Sequence, residues 1–101
     1  MSDPVDRLHV EMSGNTVVVS GELDAHSAGQ LSAALEPRLA DTVLLDLRGV
    51  TFVDSKGLSV LLSANEGATP SGGSIEIRPS TQVRRLFELA GLDGYLHVQD
   101  E

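Results

Sequence analysis

The sequence predicts an α/β domain built on a mixed sheet, from three observations. Short apolar or alternating runs at Leu8–Met12, Thr16–Ser20, Val43–Leu47 and Ser74–Arg78 read as strands. From residue 26 onward the strands are separated by apolar residues at helical spacing: Ala28, Leu31, Leu35 and Leu39; Leu58, Leu61 and Leu62; then Val83, Leu86, Phe87 and Ala90. The first two runs flank only the polar turn Ser13-Gly14-Asn15, which closes a hairpin. A hairpin followed by strand–helix–strand alternation implies an antiparallel N-terminal edge and a parallel centre with right-handed crossovers. About three helices then pack against the sheet.

In the first hairpin, His9 lies on the polar side of its strand and reads as plain surface. Gly21-Glu22-Leu23-Asp24 interrupts the strand pattern, and a first helix is expected from about residue 26, capped by Ser27 or Asp24. Pro37 cannot donate to the preceding turn, so that helix stops or kinks near Glu36. Val43 to Leu47 is nearly all apolar, as for a central strand covered on both faces. Asp46 is the exception and reads as a solvated strand end. A loop through Asp54 and Ser55 opens a second helix, which Gly67, Pro70, Gly72 and Gly73 terminate near Gly67 or Ala68. A third helix carries the Val83, Leu86, Phe87 and Ala90 stripe inward, presents Arg84 and Arg85 outward, and ends at Gly91. Tyr95–Val98 reads as a last short strand.

Composition narrows the function. A chain of 101 residues is expected to form one domain spanning 1–101, with room for one core. Fifteen acidic against seven basic residues give a net charge of −8, the wrong sign for a nucleic-acid footprint and the right one for a partner with a basic patch. With no cysteine there is neither a disulfide framework nor a thiolate metal site. An aromatic fraction of 3% leaves almost no stacking platform for bases or sugars. Met1 to Asp6 lacks the basic and then apolar regions of a signal peptide, and no apolar run approaches the roughly 18 residues of a membrane span. The expectation is a soluble, cytoplasmic protein.

The stretch from Thr51 to Leu58, Thr-Phe-Val-Asp-Ser-Lys-Gly-Leu, concentrates the chemistry. It lies where a strand hands over to a helix, and a helix N-terminus offers unpaired backbone N–H groups and the positive end of the dipole. Ser55 therefore sits where a phosphate is tolerated, although a serine or aspartate there also suits a plain N-cap.

Three separated pieces resemble the STAS domain family, and within it the small bacterial anti-sigma factor antagonists. Gly21-Glu22-Leu23-Asp24 is similar to the family's motif after the second strand, and Phe52-Val53-Asp54-Ser55-Lys56-Gly57-Leu58 to its phosphorylation loop. Gly72-Gly73 and the run from Val83-Arg84-Arg85-Leu86-Phe87 to Ala90-Gly91-Leu92 resemble its C-terminal half. The resemblance spans about residues 8 to 98 and implies partner switching. An unphosphorylated antagonist binds an anti-sigma factor, often itself a serine kinase, and is released when its serine is phosphorylated; a serine phosphatase resets it. It implies Ser55 as phosphoacceptor and Asp24, Asp54, Ser55, Lys56, Gly57 and Leu58 as partner-binding residues, with no enzyme activity and no cofactor. Lys56 departs from the family, which usually has Ser, Thr or Ala there, and it is the only lysine in the chain. Its ammonium is placed to pair with Asp54 or with a phosphate on Ser55.

Other classes fit less well. Asp24, His26 and Ser55 are the residue types of a hydrolytic triad, but no Gly-x-Ser-x-Gly elbow surrounds Ser55. His9, His26 and His97 lack metal-ligand spacing, and Gly72-Gly73 lacks the Lys-Ser/Thr of a phosphate-binding loop. A receiver-like aspartyl phosphoacceptor at Asp46 or Asp54 would need an acidic pair after its first strand and a lysine after its last. A scaffold subunit of a sensory assembly, binding without phosphorylation, is the remaining alternative.

Overall fold

Residues 8–92 and 94–99 are described by a computed structural model. Strands β1 (Leu8–Ser13) and β2 (Thr16–Leu23) form the antiparallel hairpin. Helix α1 (Ala28–Leu35) leads through a 3-10 turn (Glu36–Arg38) to β3 (Thr42–Val53), and α2 (Ser55–Ala68) to β4 (Ser74–Pro79). Helix α3 (Thr81–Ala90) precedes the two-residue β5 (His97–Val98). The sheet order is β1-β2-β3-β4-β5, parallel from β2 onward, so the expected mixed α/β architecture is the one observed.

Period-two alternation places the core on one face of the sheet. Val17 and Val19 of β2, Val43, Leu45 and Leu47 of β3, and Ile75 and Ile77 of β4 are buried with Leu31 and Leu35 of α1, Leu61 of α2, and Val83 and Phe87 of α3. Residues of opposite parity, among them His9, Glu11, Val18 and Glu76, are exposed. The expectation that β3 is an apolar strand covered on both faces is therefore corrected: its second face carries Leu44, which is only half-buried, and the charged Asp46. Nor is Asp46 a solvated strand end. It lies mid-strand, 6% exposed, with its carboxylate gripped by Arg48, Nε to Oδ1 at 3.0 Å and Nη2 to Oδ2 at 2.8 Å. That charge-assisted fork, with Arg78 opposite on β4, lets the carboxylate be buried and holds it below the usual carboxylate range.

Three boundaries also differ from the sequence reading, the last strand being His97–Val98 and not Tyr95–Val98. β2 does not stop at Gly21: the glycine takes φ +102°, and pairing with β3 resumes at Glu22 and Leu23. β3 absorbs two register irregularities and runs to Val53, so only Asp54 separates it from α2. The stop signals act as expected. α1 ends ahead of Pro37, and α3 ends at Gly91 in the left-handed region, with its amide donating to Phe87 and Glu88 carbonyls. Arg84 is not fully outward on α3; it is half-buried and its Nη2 donates to the Gln99 carbonyl at 2.7 Å, tying down the segment after β5.

Candidate functional site

Because β2 and β3 are parallel neighbours, their C-terminal ends lie side by side, and the turn into α1 meets the start of α2. Asp54 joins the two. Its Oδ1 accepts from the Gly57 amide at 2.9 Å, which makes it the N-cap of α2. Its Oδ2 accepts from the Ala25 amide at 3.2 Å, and its own amide donates to the Leu23 carbonyl at 3.2 Å.

With the cap supplied by Asp54, Ser55 becomes the first residue of α2. Its side chain is exposed, and among the described residues its hydroxyl makes no hydrogen bond; only its carbonyl is engaged, accepting from Ser59 Oγ at 2.9 Å. The capping alternative for Ser55 is thereby assigned to its neighbour. An oxyanion on this hydroxyl would meet the free amides and the dipole of a fourteen-residue helix.

Lys56 is exposed one residue further on, and it pairs with neither Asp54 nor any other described residue. Gly57 is buried for a steric reason: a Cβ there would lie 2.4 Å from the Leu23 carbonyl oxygen and 2.7 Å from its Cγ. The absent side chain lets α2 start directly against the end of β2. Leu58 is half-buried and packs on the core, so it anchors the helix from below.

Asp24 is placed differently from Ser55. It is 8% exposed, and its Oδ1 accepts from the amides of His26 and Ser27 at 3.0 and 3.1 Å and from Ser27 Oγ at 3.2 Å. The single proton of the Ser27 hydroxyl is shared between that contact and the closer Glu22 carbonyl at 2.7 Å. Asp24, more than Ser27, supplies the capping acceptor ahead of α1; Ser27 stands at the N-cap without a side-chain cap bond. Asp24 thus shapes the turn that carries exposed Ala25 past Asp54, with His26 exposed next to it in the chain.

Ala25 is the site neighbour that sequence reasoning missed; His26 was weighed only as a triad residue type, and Phe52, a large apolar side chain 49% exposed three residues before Ser55, only as part of the loop motif. The signal was present in the parallel order of β2 and β3, which forces their following turns together. Among the described residues no three His, Cys, Asp or Glu side chains gather as for a metal ion. A cavity of about 170 Å³ between α1 and α2 and one of about 180 Å³ beside the end of β3 are smaller than the roughly 300–1,000 Å³ of ordinary ligand pockets. The arrangement is an exposed hydroxyl on a rigid, capped helix end, suited to modification and to contact with a macromolecule. No described helix is long and apolar enough to cross a membrane.

Comparison with known proteins agrees with this geometry. The family model described as "Mlab, STAS domain" matches residues 8–99. The anti-sigma F factor antagonist of Lysinibacillus sphaericus is 33% identical over 88 residues, spanning 80% of this chain and 75% of its own length. Among solved structures, an anti-sigma factor antagonist from Mycobacterium paratuberculosis superposes with a TM-score of 0.71 at 32% identity, covering 100% of this chain and 92% of its own. The Bacillus cell fate determinant SpoIIAA in its phosphorylated form gives a TM-score of 0.66 at 25% identity, with coverage of 93% and 92%.

Proposed function

This chain belongs to the STAS domain family, and on that premise we propose that it is an anti-sigma factor antagonist working by partner switching. Unphosphorylated, it binds an anti-sigma factor through the surface around Ser55, with Asp54, Lys56 and Gly57 forming the helix start, Leu58 anchoring it, and the Asp24 turn beside it. Phosphorylation of Ser55 by an anti-sigma factor of the serine-kinase type ends the contact, and a serine phosphatase restores it. The domain acts in the cytoplasm as one unit, as a substrate and switch and not as an enzyme.

The observation that carries this reading is the division of labour between Asp54 and Ser55. Asp54 does the capping, and Ser55 Oγ is left exposed at the helix N-terminus. A phosphate adds about −1.5 to −2 charges there. The helix amides stabilise that charge within the domain, while its bulk and charge, beside the Asp54 carboxylate, oppose an acidic or closely packed partner surface. Binding is then blocked without refolding.

The test is capture of the anti-sigma factor kinase of the same cell, with and without ATP. Ser55→Ala should bind as wild type does and stay bound when ATP is added; Ser55→Asp should bind about tenfold or more weakly. Wild-type affinity in both variants, or phosphate found on Asp46 or Asp54 instead of Ser55, would reject the switch.

A further inference from the structure

We propose that β1 is a self-complementary sheet edge through which two copies of this chain pair antiparallel about Val10. The sheet's two edges are treated differently. β5 is two residues long and offers almost nothing to pair with, a common protection of edges. β1 is six residues long, pairs with β2 in unbroken register, and contains neither the proline, the lysine nor the bulge that ordinarily blunts an edge.

The direction of its backbone groups follows from the hairpin. Ser13 and Thr16 flank a two-residue turn and are paired, which makes them a hydrogen-bonded pair. Alternation then turns Glu11 and His9 toward β2 and leaves the N–H and C=O of Val10 and Met12, and the C=O of Leu8, directed away from it. The Leu8 carbonyl agrees with this parity, accepting from Gln30 Nε2 at 3.3 Å, outside the ladder. A carbonyl oxygen has two lone pairs, so this contact leaves room for a second donor.

A twofold axis at Val10 sets Val10 opposite Val10 of the second copy in a hydrogen-bonded pair, and Leu8 opposite Met12, which is 48% exposed. His9 then faces Glu11 of the second copy in a non-hydrogen-bonded pair, where side chains approach most closely. The two side chains already complement one another within one strand, His9 Nε2 lying 2.9 Å from Glu11 Oε2 with both exposed. The twofold produces the His–Glu contact twice. A register one residue off would oppose like with like or turn the apolar side chains to the other face. The occupant is therefore a second copy of the same strand, held by a small interface and formed only at high concentration.

Sedimentation velocity of the full chain from about 10 µM to 1 mM tests this, with Kd near or above the micromolar range expected for so small an interface. A dimer should appear as concentration rises. Val10→Pro removes an outward N–H without touching the β2 ladder and should abolish it, with circular dichroism checking the fold. His9→Glu alone sets two carboxylates opposite one another and should weaken association about tenfold. Combining His9→Glu with Glu11→His exchanges the two side chains and should restore it. A chain monomeric throughout, a dimer indifferent to Val10→Pro, or a double exchange as weak as the single one would overturn the proposal. None of these substitutions touches the Ser55 surface.

Discussion

Asp54 and Ala25 stand 29 positions apart in the chain yet share a hydrogen bond of 3.2 Å, while the other oxygen of the same carboxylate caps α2 through Gly57. One side chain thus fixes the start of α2 and fastens the turn before α1 to it. Removing it with Asp54→Ala loses a cap of about 1 kcal/mol and a second bond of similar size, so a loss of about 2 kcal/mol is expected. Asp54→Asn retains an acceptor for the cap and should lose less than half as much. Urea unfolding of the three proteins decides: an Asp54→Asn protein as stable as wild type would mean that the second oxygen contributes nothing and that the carboxylate does not bridge the two turns.

Gly57 carries the next prediction, because helix propensity and packing give opposite signs. Propensity favours Gly57→Ala by about 1 kcal/mol. The added Cβ, 2.4 Å from the Leu23 carbonyl oxygen, meets backbone that cannot move aside, and overpacking of this kind costs about 1–3 kcal/mol. Net destabilisation is expected, with a reduced affinity for the anti-sigma factor as the helix start is pushed off β2. Gly29→Ala, whose Cβ meets nothing within 4 Å, should instead gain about 0.5 kcal/mol. Thermal denaturation that moves both variants in the same direction would refute the steric account.

The Asp46–Arg48 fork makes stability depend on pH in a stated direction. Hydrogen bonding from Arg48, ahead of the other influences, lowers the Asp46 pKa from its usual 3.8. A depressed carboxylate pKa contributes stability that is fully present above the unfolded value and is lost as pH falls through the folded one. Arg48→Met should therefore cost about 1–2 kcal/mol at pH 7, and the difference from wild type should shrink below about pH 4. Denaturation at a series of pH values measures it. A gap that stays constant to pH 2.5 would assign the effect of Arg48 to its stem and not to its charge.

What the sequence made legible was governed by local rules. Pro37 and Gly91 end their helices by their own backbone limits, the apolar spacing from Leu58 marks α2, and the hairpin around Gly14 needs only its turn. What stayed hidden depended on pairing between distant segments. The extension of β2 past Gly21 and of β3 to Val53 rests on register irregularities between the two strands. The burial of Asp46 depends on Arg48 folding back along its own strand, which no hydrophobic pattern announces. At the candidate site, Asp54, Ser55 and Gly57 were readable as a strand-to-helix junction. The inward turn of Asp24 and the arrival of Ala25 beside Asp54 followed only from strand order.

Lys56 joins the stability of α2 to its role. A cation in the first turn opposes the helix dipole by about 0.3–1 kcal/mol, and among the described residues Lys56 pairs with no carboxylate that would offset this. Lys56→Ser should therefore stabilise the fold by a few tenths of a kcal/mol. Its effect on the switch should have the opposite sense. Lys56 is the one positive charge beside Ser55 in the helix start, where it can draw in the phosphate donor and afterwards pair with the phosphate formed. Removing it should slow phosphorylation of Ser55 and sharpen release of the partner once the phosphate is in place. Kinase assays with radiolabelled ATP, beside affinity measurements on the phosphorylated proteins, separate the two effects. Unchanged rate and unchanged release would leave Lys56 with only its small electrostatic cost to the helix.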